Sequence, residues 1–446
     1  MVESVLGALP SGWQYITLGE VCRRGGGDIQ TGPFGSQLHA ADYVPVGVPS
    51  IMPKNIGDNR IVETDIARIK ITDAERLGRY RVQVGDIVYS RRGDVERRAL
   101  IGARESGWLC GTGCLRVRFG EGEVVDPVFA TFYLGHPAVR EWIVRHAHGA
   151  TMPNLNTTIL SNCPFALPPL EEQLAIASIL GALDDKIDLN RRMNETLEAM
   201  ARAIFKDWFV DFGPTRAKME GCKPYLAPEL WALFPDRLDD EGKPEGWERS
   251  TIGEEVEVVG GSTPSTKEPT FWDGDICWAT PKDLSSLISP ILLNTGRKIS
   301  KAGLRQISSG LLPSGTVLLS SRAPIGYLAI TEVPLAINQG FIAMRCEKRL
   351  PNTFVWLWTA ANMEAILQNA NGSTFQEISK RNFRPLSVIV PSLKTLKTFD
   401  DVVRPIYSRI ASNEHESRTL AQTRDLLLPK LMSGEIRVKG IESKVA

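Results

Sequence analysis

Stretches with the residue types of a catalytic site are few in this 446-residue chain. The run PDRLDDEGK at 235–243 superficially resembles the Pro-Asp…Glu-x-Lys motif of nucleases, but its spacing is too tight to place the acidic residues on neighbouring strands. The PP pair at 168–169 lies between leucines, unlike the Asn/Asp-Pro-Pro-aromatic stretch of methyltransferases that act on DNA bases. A Gly-x4-Gly-Lys-Ser/Thr phosphate loop does not occur. We therefore predict that this chain has no catalytic residues and positions other molecules instead.

The spacing of a metal site is also missing from the sequence. Cys110 and Cys114 form one close pair and His146 and His148 another, yet neither is matched by a second pair at metal-site spacing. The cysteines fit a half-buried strand and its turn better, and we predict no metal ligands. All seven cysteines are scattered without a disulfide framework, which predicts reduced thiols and a cytoplasmic protein.

The composition is that of an ordinary globular protein with two or more domains. Hydrophobic residues make up 43% and charged residues 23% of the chain. Basic and acidic residues both number 52, and this zero net charge argues against nonspecific coating of nucleic acid while permitting local basic patches. We recognise neither an apolar run of about 18 residues nor a secretory leader, and so predict no membrane partner.

Basic and amide side chains recur in loops at matched places in the two halves of the chain. Arg91 and Arg92 follow the strand-like run DIVYS at 86–90, and Arg322 follows the similar run GTVLLS at 315–320. An arginine after a strand can contact guanine O6 and N7 in bidentate fashion, or bind a phosphate. A solvated loop charge is the alternative for any single residue. The predicted DNA-binding set is Lys54, Asn55, Arg91, Arg92, Arg97, Thr151, Asn154, Lys282, Arg322, Thr374 and Gln376.

Two long helices are predicted from a repeated seam pattern. At 170–209, apolar residues and two asparagines recur in steps of four and three, the pattern of a helix that packs lengthwise against another helix. The same pattern recurs 223 positions later, at 393–432. A helix of about 40 residues is roughly 60 Å long, and a buried seam asparagine fixes its register. The predicted seam comprises Leu180, Leu183, Ile187, Asn190, Leu197, Val403, Ile406, Ile410, Asn413 and Leu420.

The remaining sequence is duplicated at the scale of a domain. The GW pair at 12–13 recurs at 246–247, the GE pair at 19–20 recurs at 253–254, and the PK pair at 53–54 recurs at 281–282, in the same order. We predict an α+β protein with two mixed α/β domains and two long helices. The predicted boundaries are 1–168 for domain one, 169–213 for helix one, 214–245 for an extended linker, 246–390 for domain two, 391–435 for helix two and 436–446 for a C-terminal tail.

The chain resembles the specificity subunit of type I restriction–modification systems over essentially its whole length. The resemblance is carried by both long-helix segments, by EGKPEGWE before the second domain, and by the segments TGPFGSQLHAADYVPVGVPSIMPKNI and GGSTPSTKEPTFWDGDICWATPKDL. It implies that each domain is a target-recognition domain for one half of a split, asymmetric DNA sequence. It also implies that the two helices separate the domains as an antiparallel coiled coil, a spacer of fixed length, with an internal pseudo-two-fold duplication.

The resemblance further implies partners and cofactors. Double-stranded DNA, two methyltransferase subunits that modify adenine and two restriction–translocase subunits are expected to bind. S-adenosylmethionine, ATP and Mg are expected on those subunits and no cofactor on this chain. Pro405 and Pro429 depart from the first helix, which has Ala182 and Lys206 there, and they predict kinks or an early stop.

Two alternative functions are left open by the residues. One is a coiled-coil interaction protein that binds no DNA. The other is a chain with its own nuclease or methyltransferase activity, against which the missing motifs count. The spacer idea agrees with simple geometry, because half-sites one helical turn apart have centres roughly 34–36 Å apart, within reach of a ~60 Å helix pair.

Overall fold

The computed structural model describes residues 3–121, 123–149, 152–372 and 376–438. The chain forms two compact units. Unit 1 runs from the N-terminus through Lys186 and resumes at Leu420, and unit 2 comprises Ile187–Thr419. Each long helix contributes one part to unit 1 and the other part to unit 2. Within the described ranges, every helix is too short or too polar to cross a membrane.

Unit 1 is a mixed α/β domain. Its strands form a four-stranded sheet in the order β2-β8-β5-β6, a three-stranded sheet in the order β4-β3-β7, and the antiparallel pair β1-β9. The elements in chain order are β1 (Gln14–Thr17), α1 (Leu18–Gly25), β2 (Gly26–Thr31), β3 (Tyr43–Ile51), β4 (Ala67–Ile69), α2 (Ile71–Arg76), β5 (Ile87–Ser90), β6 (Arg98–Leu100), β7 (Leu109–Cys110), β8 (Cys114–Gly120), α3 (Pro127–Gly135), α4 (Pro137–His146), α5 (Thr157–Ser161) and β9 (Pro164–Leu167).

Local sequence signals set where these elements begin and end. Thr17 accepts a 3.2 Å hydrogen bond from the backbone N–H of Glu20 and caps α1. Gly26 follows that helix at φ +83°, a left-handed conformation that a residue without Cβ adopts at little cost. Tyr133 of α3 donates a 3.0 Å hydrogen bond to the carbonyl of Pro164, so the helix layer is tied to the strand pair.

The first long helix, α6 (Leu170–Phe205), begins directly after the two prolines and continues as a π-helical segment over Lys206–Val210. Gln173 anchors its first turn to unit 1. The fully buried Gln173 amide donates to the carbonyls of Pro168 and Val124 and accepts a 2.9 Å hydrogen bond from the N–H of Asp126. All its polar atoms are therefore paired, as burial requires, and the direction of the helix is fixed relative to the domain.

The connection at 214–245, predicted as an extended linker, contains short helical segments. These are α7 (Gly213–Met219) and α8 (Pro228–Trp231). Phe234 is 2% exposed and its ring lies 5.1 Å from that of Trp208. Apolar side chains of this connection are buried in the core of unit 2, which its proline and glycine pattern does not predict.

Unit 2 repeats the plan of unit 1. Its strands form a sheet in the order β11-β18-β15-β16-β13, a sheet in the order β14-β12-β17, and the antiparallel pair β10-β19. The elements are β10 (Glu248–Thr251), α9 (Ile252–Glu255), β11 (Glu257–Val259), β12 (Trp272–Ala279), α10 (Pro281–Ser285), β13 (Ile291–Leu292), β14 (Arg297–Ile299), α11 (Lys301–Leu304), β15 (Val317–Ser321), β16 (Ile325–Thr331), β17 (Leu335–Ile337), β18 (Phe341–Arg345), α12 (Asn352–Ala361), α13 (Met363–Gln368), α14 (Lys380–Phe383) and β19 (Ser387–Val390). The second long helix, α15 (Leu393–Met432), follows, and its part from Leu420 onward belongs to unit 1.

Individual hydrogen bonds repeat between the units as well. The N–H of Leu18 donates to the carbonyl of Cys163 at 2.8 Å, and the N–H of Ile252 donates to the carbonyl of Leu386 at 2.9 Å. Both bonds join the helix that follows the first strand of a unit to the segment before its last strand. The predicted α+β fold with two duplicated domains and two long helices is therefore confirmed.

The two long helices pair antiparallel within each unit. In unit 2, the Nδ2 of Asn190 lies 3.3 Å from Ser417 Oγ, and the Phe205 ring lies 6.0 Å from the Phe399 ring. In unit 1, Leu180 packs in one core with Leu428 and Leu431. Of the predicted seam residues, the structure buries Leu180, Asn190, Val403, Ile410 and Asn413, and it half-buries Leu183, Ile187, Leu197, Ile406 and Leu420.

The prediction at the two prolines was a kink or an early stop, and the early stop is wrong because neither proline ends the second helix. Helix α15 continues without interruption to Met432. A proline removes one hydrogen bond to the carbonyl four residues earlier. Pro405 and Asp401 are both exposed, so water can reach that position, while Val403 and Tyr407 remain buried in the core of unit 2. Burial of Val403 and Tyr407 on either side of Pro405 therefore stabilises the helical conformation at this position.

Candidate nucleic-acid interface

In unit 1, two of the predicted loops meet at the end of strand β5. Arg92 forms an isolated antiparallel bridge with Asn154, and the N–H of Leu155 donates to the carbonyl of Arg91 at 2.8 Å. The N–H of Gly93 donates to the carbonyl of Pro153 at 3.0 Å. Arg92 is exposed, whereas Arg91 and Asn154 are half-buried. The backbone of this junction is fixed while the Arg92 side chain faces solvent.

In unit 2, the corresponding loops meet in the same way at the end of β15. Arg322 forms an isolated antiparallel bridge with Glu377, and the N–H of Ile378 donates to the carbonyl of Ser321 at 3.0 Å. The guanidinium of Arg322 lies 3.8 Å from the Glu377 carboxylate, and both side chains are more than a third exposed. This contact is loose enough for a phosphate or a base edge to compete with it.

The second matched pair of loops follows β3 and β12. Lys54 and Lys282 are exposed there. Asn55, by contrast, is fully buried, and its amide donates to the carbonyls of Val62 and Thr64 while its Oδ1 accepts from the N–H of Met52. The assignment of Asn55 to the DNA-binding set is therefore corrected: its side chain braces a turn and has no exposed atom to offer.

The remaining members of the predicted DNA-binding set are exposed or lie outside the described residues. Arg97 is exposed and pairs with Asp94 at 2.5 Å. Gln376 is exposed. Thr151 and Thr374 lie outside the described residues. The structure therefore brings Arg91, Arg92 and Asn154 together in unit 1 and places Arg322 at the equivalent junction of unit 2.

Sequence reasoning missed two exposed groups beside these loops. Phe34 is 53% exposed, and the Arg91 guanidinium lies 5.9 Å from the centre of its ring. In unit 2, the exposed guanidinium of Arg297 lies 3.6 Å from the centre of the Trp272 ring. Arg297 matches Ala67 at the start of β4, and the segment of unit 2 that matches Phe34 contains no aromatic residue, so a search for repeated residues passes over both groups.

A cavity of about 440 Å³ in unit 2 does not add to this interface. It is lined by several cationic side chains, but each has an internal partner. Arg349 pairs with Glu255 and Glu248, Arg345 pairs with Glu257, and Arg404 pairs with Asp400. Because the three arginines are already neutralised by carboxylates and Lys348 donates to the carbonyl of Glu254, the cavity is a weak candidate for binding an anion.

The close cysteine pair belongs to the interior. Cys110 lies on β7 and Cys114 on β8, and both are buried. Burial raises the pKa of the Cys110 thiol to about 12. Among the described residues, no group of three or more His, Cys, Asp or Glu is placed to hold a metal ion. The two thiols are therefore part of the packed interior of unit 1.

Comparisons with known proteins agree with this arrangement. The model of the type I restriction modification DNA specificity domain matches residues 10–199 and 244–421. The type I restriction enzyme HindI specificity subunit of Haemophilus influenzae is 26% identical over 439 residues, covering 87% of this chain and 95% of that protein. The MjaIX specificity subunit of Methanocaldococcus jannaschii is 23% identical over 443 residues, covering 98% and 96%.

The comparison with solved structures finds a similar fold. The crystal structure of the S subunit of a type I restriction–modification system from M. genitalium matches with a TM-score of 0.56 at 16% identity, covering 97% of this chain and 99% of that chain. The family model covers most of the chain, and its two matches fall one in each half. This chain therefore belongs to the family of type I restriction–modification specificity subunits, non-catalytic proteins that recognise DNA targets.

Proposed function

We propose that this chain reads a split DNA target, with each unit contacting one half-site. The observation that carries the proposal is the repeated junction of loops: Arg92 and Arg322 each follow a buried strand and each bridge to a second loop. A rigid backbone with a projecting guanidinium suits recognition of a guanine edge. Exposed Lys54 and Lys282 are suited to phosphate contacts, which position the protein without reading sequence.

The two half-sites are proposed to differ. Arg92 stands beside Asn154 in unit 1, whereas Arg322 stands beside Glu377 in unit 2. An asparagine amide can pair with adenine and a carboxylate can accept from the cytosine amino group. Equivalent positions therefore offer different hydrogen-bonding groups, and an asymmetric target follows.

The helix pair is proposed to act as spacer and scaffold. Methyltransferase subunits, two of them, would bind this chain and modify adenine in the target, and two restriction–translocase subunits would join them. S-adenosylmethionine, ATP and Mg would be held by those subunits. Charged residues such as Arg192 and Glu195 are exposed on α6 and suit contacts with partner helices.

The test is long-read mapping of DNA methylation in cells that carry this chain with its methyltransferase, against cells that lack only this chain. We expect a split, asymmetric adenine-methylation motif that vanishes with the chain. An unchanged pattern, followed by failure of the purified assembly to select any DNA from a random library, would contradict DNA reading and favour an interaction protein.

A further inference from the structure

One aromatic side chain of unit 1 is exposed in a loop that is otherwise tightly held. Phe34 follows strand β2 and is 53% exposed, while its neighbours Gly32 and Pro33 are buried and Leu38 is 4% exposed. Exposing a phenylalanine ring forgoes the free energy of burying it. The loop thus has buried residues on both sides of Phe34, whose ring is exposed to solvent.

Hydrogen bonds from distant parts of unit 1 fix the backbone around this ring. The hydroxyl of Thr112 donates to the carbonyl of Pro33 at 3.1 Å. The N–H of Phe34 donates to Gln37 Oε1 at 3.3 Å, and the same oxygen accepts a 2.7 Å hydrogen bond from the buried Tyr80 hydroxyl. The ring is therefore presented by a preorganised loop, which is what a recognition element needs.

The exposed ring borders the junction of the two recognition loops. The Arg91 guanidinium lies 5.9 Å from its centre, within cation–π range. Arg91 is adjacent in sequence to Arg92, and its carbonyl accepts from Leu155, next to Asn154. Met152, 64% exposed, lies on the same second loop. The loops that carry Phe34, Arg91 and Asn154 thus place an apolar ring beside the residues predicted to contact bases.

We propose that Phe34 is a further specificity-determining residue, which contacts the 5-methyl group of a thymine in the half-site that unit 1 reads. This inference rests on the proposed function and deepens it. The major-groove edge of a T·A pair carries one apolar group, the thymine methyl, and phenylalanine is a suitable contact for it. Arg91 covers one face of the ring, which disfavours insertion between two bases, since that requires both faces.

Unit 2 offers no equivalent ring. The segment that follows β11, residues 260–268, contains no aromatic residue. Its Thr263 hydroxyl donates a 2.6 Å hydrogen bond to Gln339 Oε1, so this loop presents polar groups where unit 1 presents a ring. The thymine contact is accordingly expected in one half-site only, and the other half-site serves as an internal control.

The experiment is selection from DNA in which both half-sites are randomised, using the chain assembled with its methyltransferase subunits. Wild type is compared with Phe34→Ala, Phe34→Leu and the control Ile71→Ala, which truncates another exposed apolar side chain of unit 1. We expect Phe34→Ala to lose the preference for thymine at one position of one half-site, and Phe34→Leu and Ile71→Ala to keep it. The other half-site should be unchanged in every variant.

A second measurement removes the methyl group instead of the ring. Uracil in place of the selected thymine should weaken wild-type binding about fourfold, as expected for one buried methyl-sized group, and leave Phe34→Ala unaffected. The inference is overturned if Phe34→Ala selects an unchanged target, or if no thymine of either half-site shows a methyl effect in wild type. Failure of wild type to select any split target would instead overturn the proposed function itself.

Discussion

Asn413 Nδ2 donates a 2.8 Å hydrogen bond to Asn194 Oδ1 between the two long helices of unit 2. Both side chains are almost completely buried, at 1% and 3% exposure. The Asn194 amide in turn donates to Glu414 Oε1 at 2.8 Å. The pair lies beside the polar seam residues Asn190 and Ser417, so hydrogen bonds are clustered at one level of the helix pair and favour one alignment of the helices over alignments shifted along their axes.

Replacing one member of this pair is expected to cost more than replacing both. Asn413→Leu leaves the Asn194 oxygen buried without a donor, which should lower the free energy of unfolding by about 1–3 kcal/mol. Asn194→Leu with Asn413→Leu removes both polar groups and should be nearly neutral or stabilising. Denaturant unfolding of the two single variants and the double variant measures the coupling. Additive losses in the double variant would contradict a paired role.

Much of the fold could be predicted because its signals are local and periodic. The heptad steps predict both helices, and matched anchors such as the GW pairs predict the duplication. Whether a particular side chain is buried or exposed depends instead on contacts with residues far away in the sequence. The loop that exposes Phe34 is fixed by hydrogen bonds from Tyr80 and Thr112, which come from 43 and 79 positions away in the sequence. Asn55 is buried because the carbonyls of Val62 and Thr64 return to it. Composition alone shows neither the exposure of Phe34 nor the burial of Asn55.

Arg92 and Arg322 are expected to affect the two half-sites separately. Arg92→Ala should weaken binding to targets with the preferred first half-site by about 1–3 kcal/mol, and Arg322→Ala should do the same for the second, if each contact is bidentate to a base. Equilibrium binding to DNA with either half-site altered separates the two effects. An equal loss on all DNA would mean that the arginines contact phosphates only.

Substitution of Lys54 should change DNA binding, whereas substitution of its buried neighbour Asn55 should change stability. Lys54→Ala is expected to weaken binding to every DNA sequence alike and to reduce the slope of log affinity against log salt by about one, since a phosphate contact releases counterions. Asn55→Ala should instead lower stability, because it removes three internal hydrogen bonds. Salt titrations of binding and denaturant unfolding test the two together. Altered base preference in Lys54→Ala would contradict the phosphate assignment.

Within unit 1, Arg424 joins the second helix to the first. Its guanidinium donates to Asp184 Oδ1 at 2.6 Å, and Asp184 Oδ2 also accepts from the Asn59 amide at 3.2 Å. Arg424 is 16% and Asp184 23% exposed. Arg424→Met should therefore lower the free energy of unfolding of unit 1 by about 1–3 kcal/mol. The control Arg23→Ala breaks a solvent-exposed pair with Glu20 and should change little. Equal losses of stability in the two variants would mean that this half-buried contact contributes no more than an exposed ion pair.

Glu255 of unit 2 should make stability depend on pH. Its side chain is 4% exposed and accepts from the Arg349 guanidinium at 2.9 and 2.5 Å, and these hydrogen bonds lower the pKa of the carboxyl. Because the folded pKa lies below the unfolded one, the stabilisation is complete above about pH 4.3 and is lost as pH falls through the folded pKa. Glu255→Gln should thus destabilise unit 2 by about 1–3 kcal/mol at pH 7 and progressively less in acid. Tryptophan fluorescence during denaturant unfolding at pH 7, 4 and 3 follows the difference, with exposed Glu347→Gln as the control. A loss that is the same at all three values would mean that packing, and not the charge, is what Glu255 supplies.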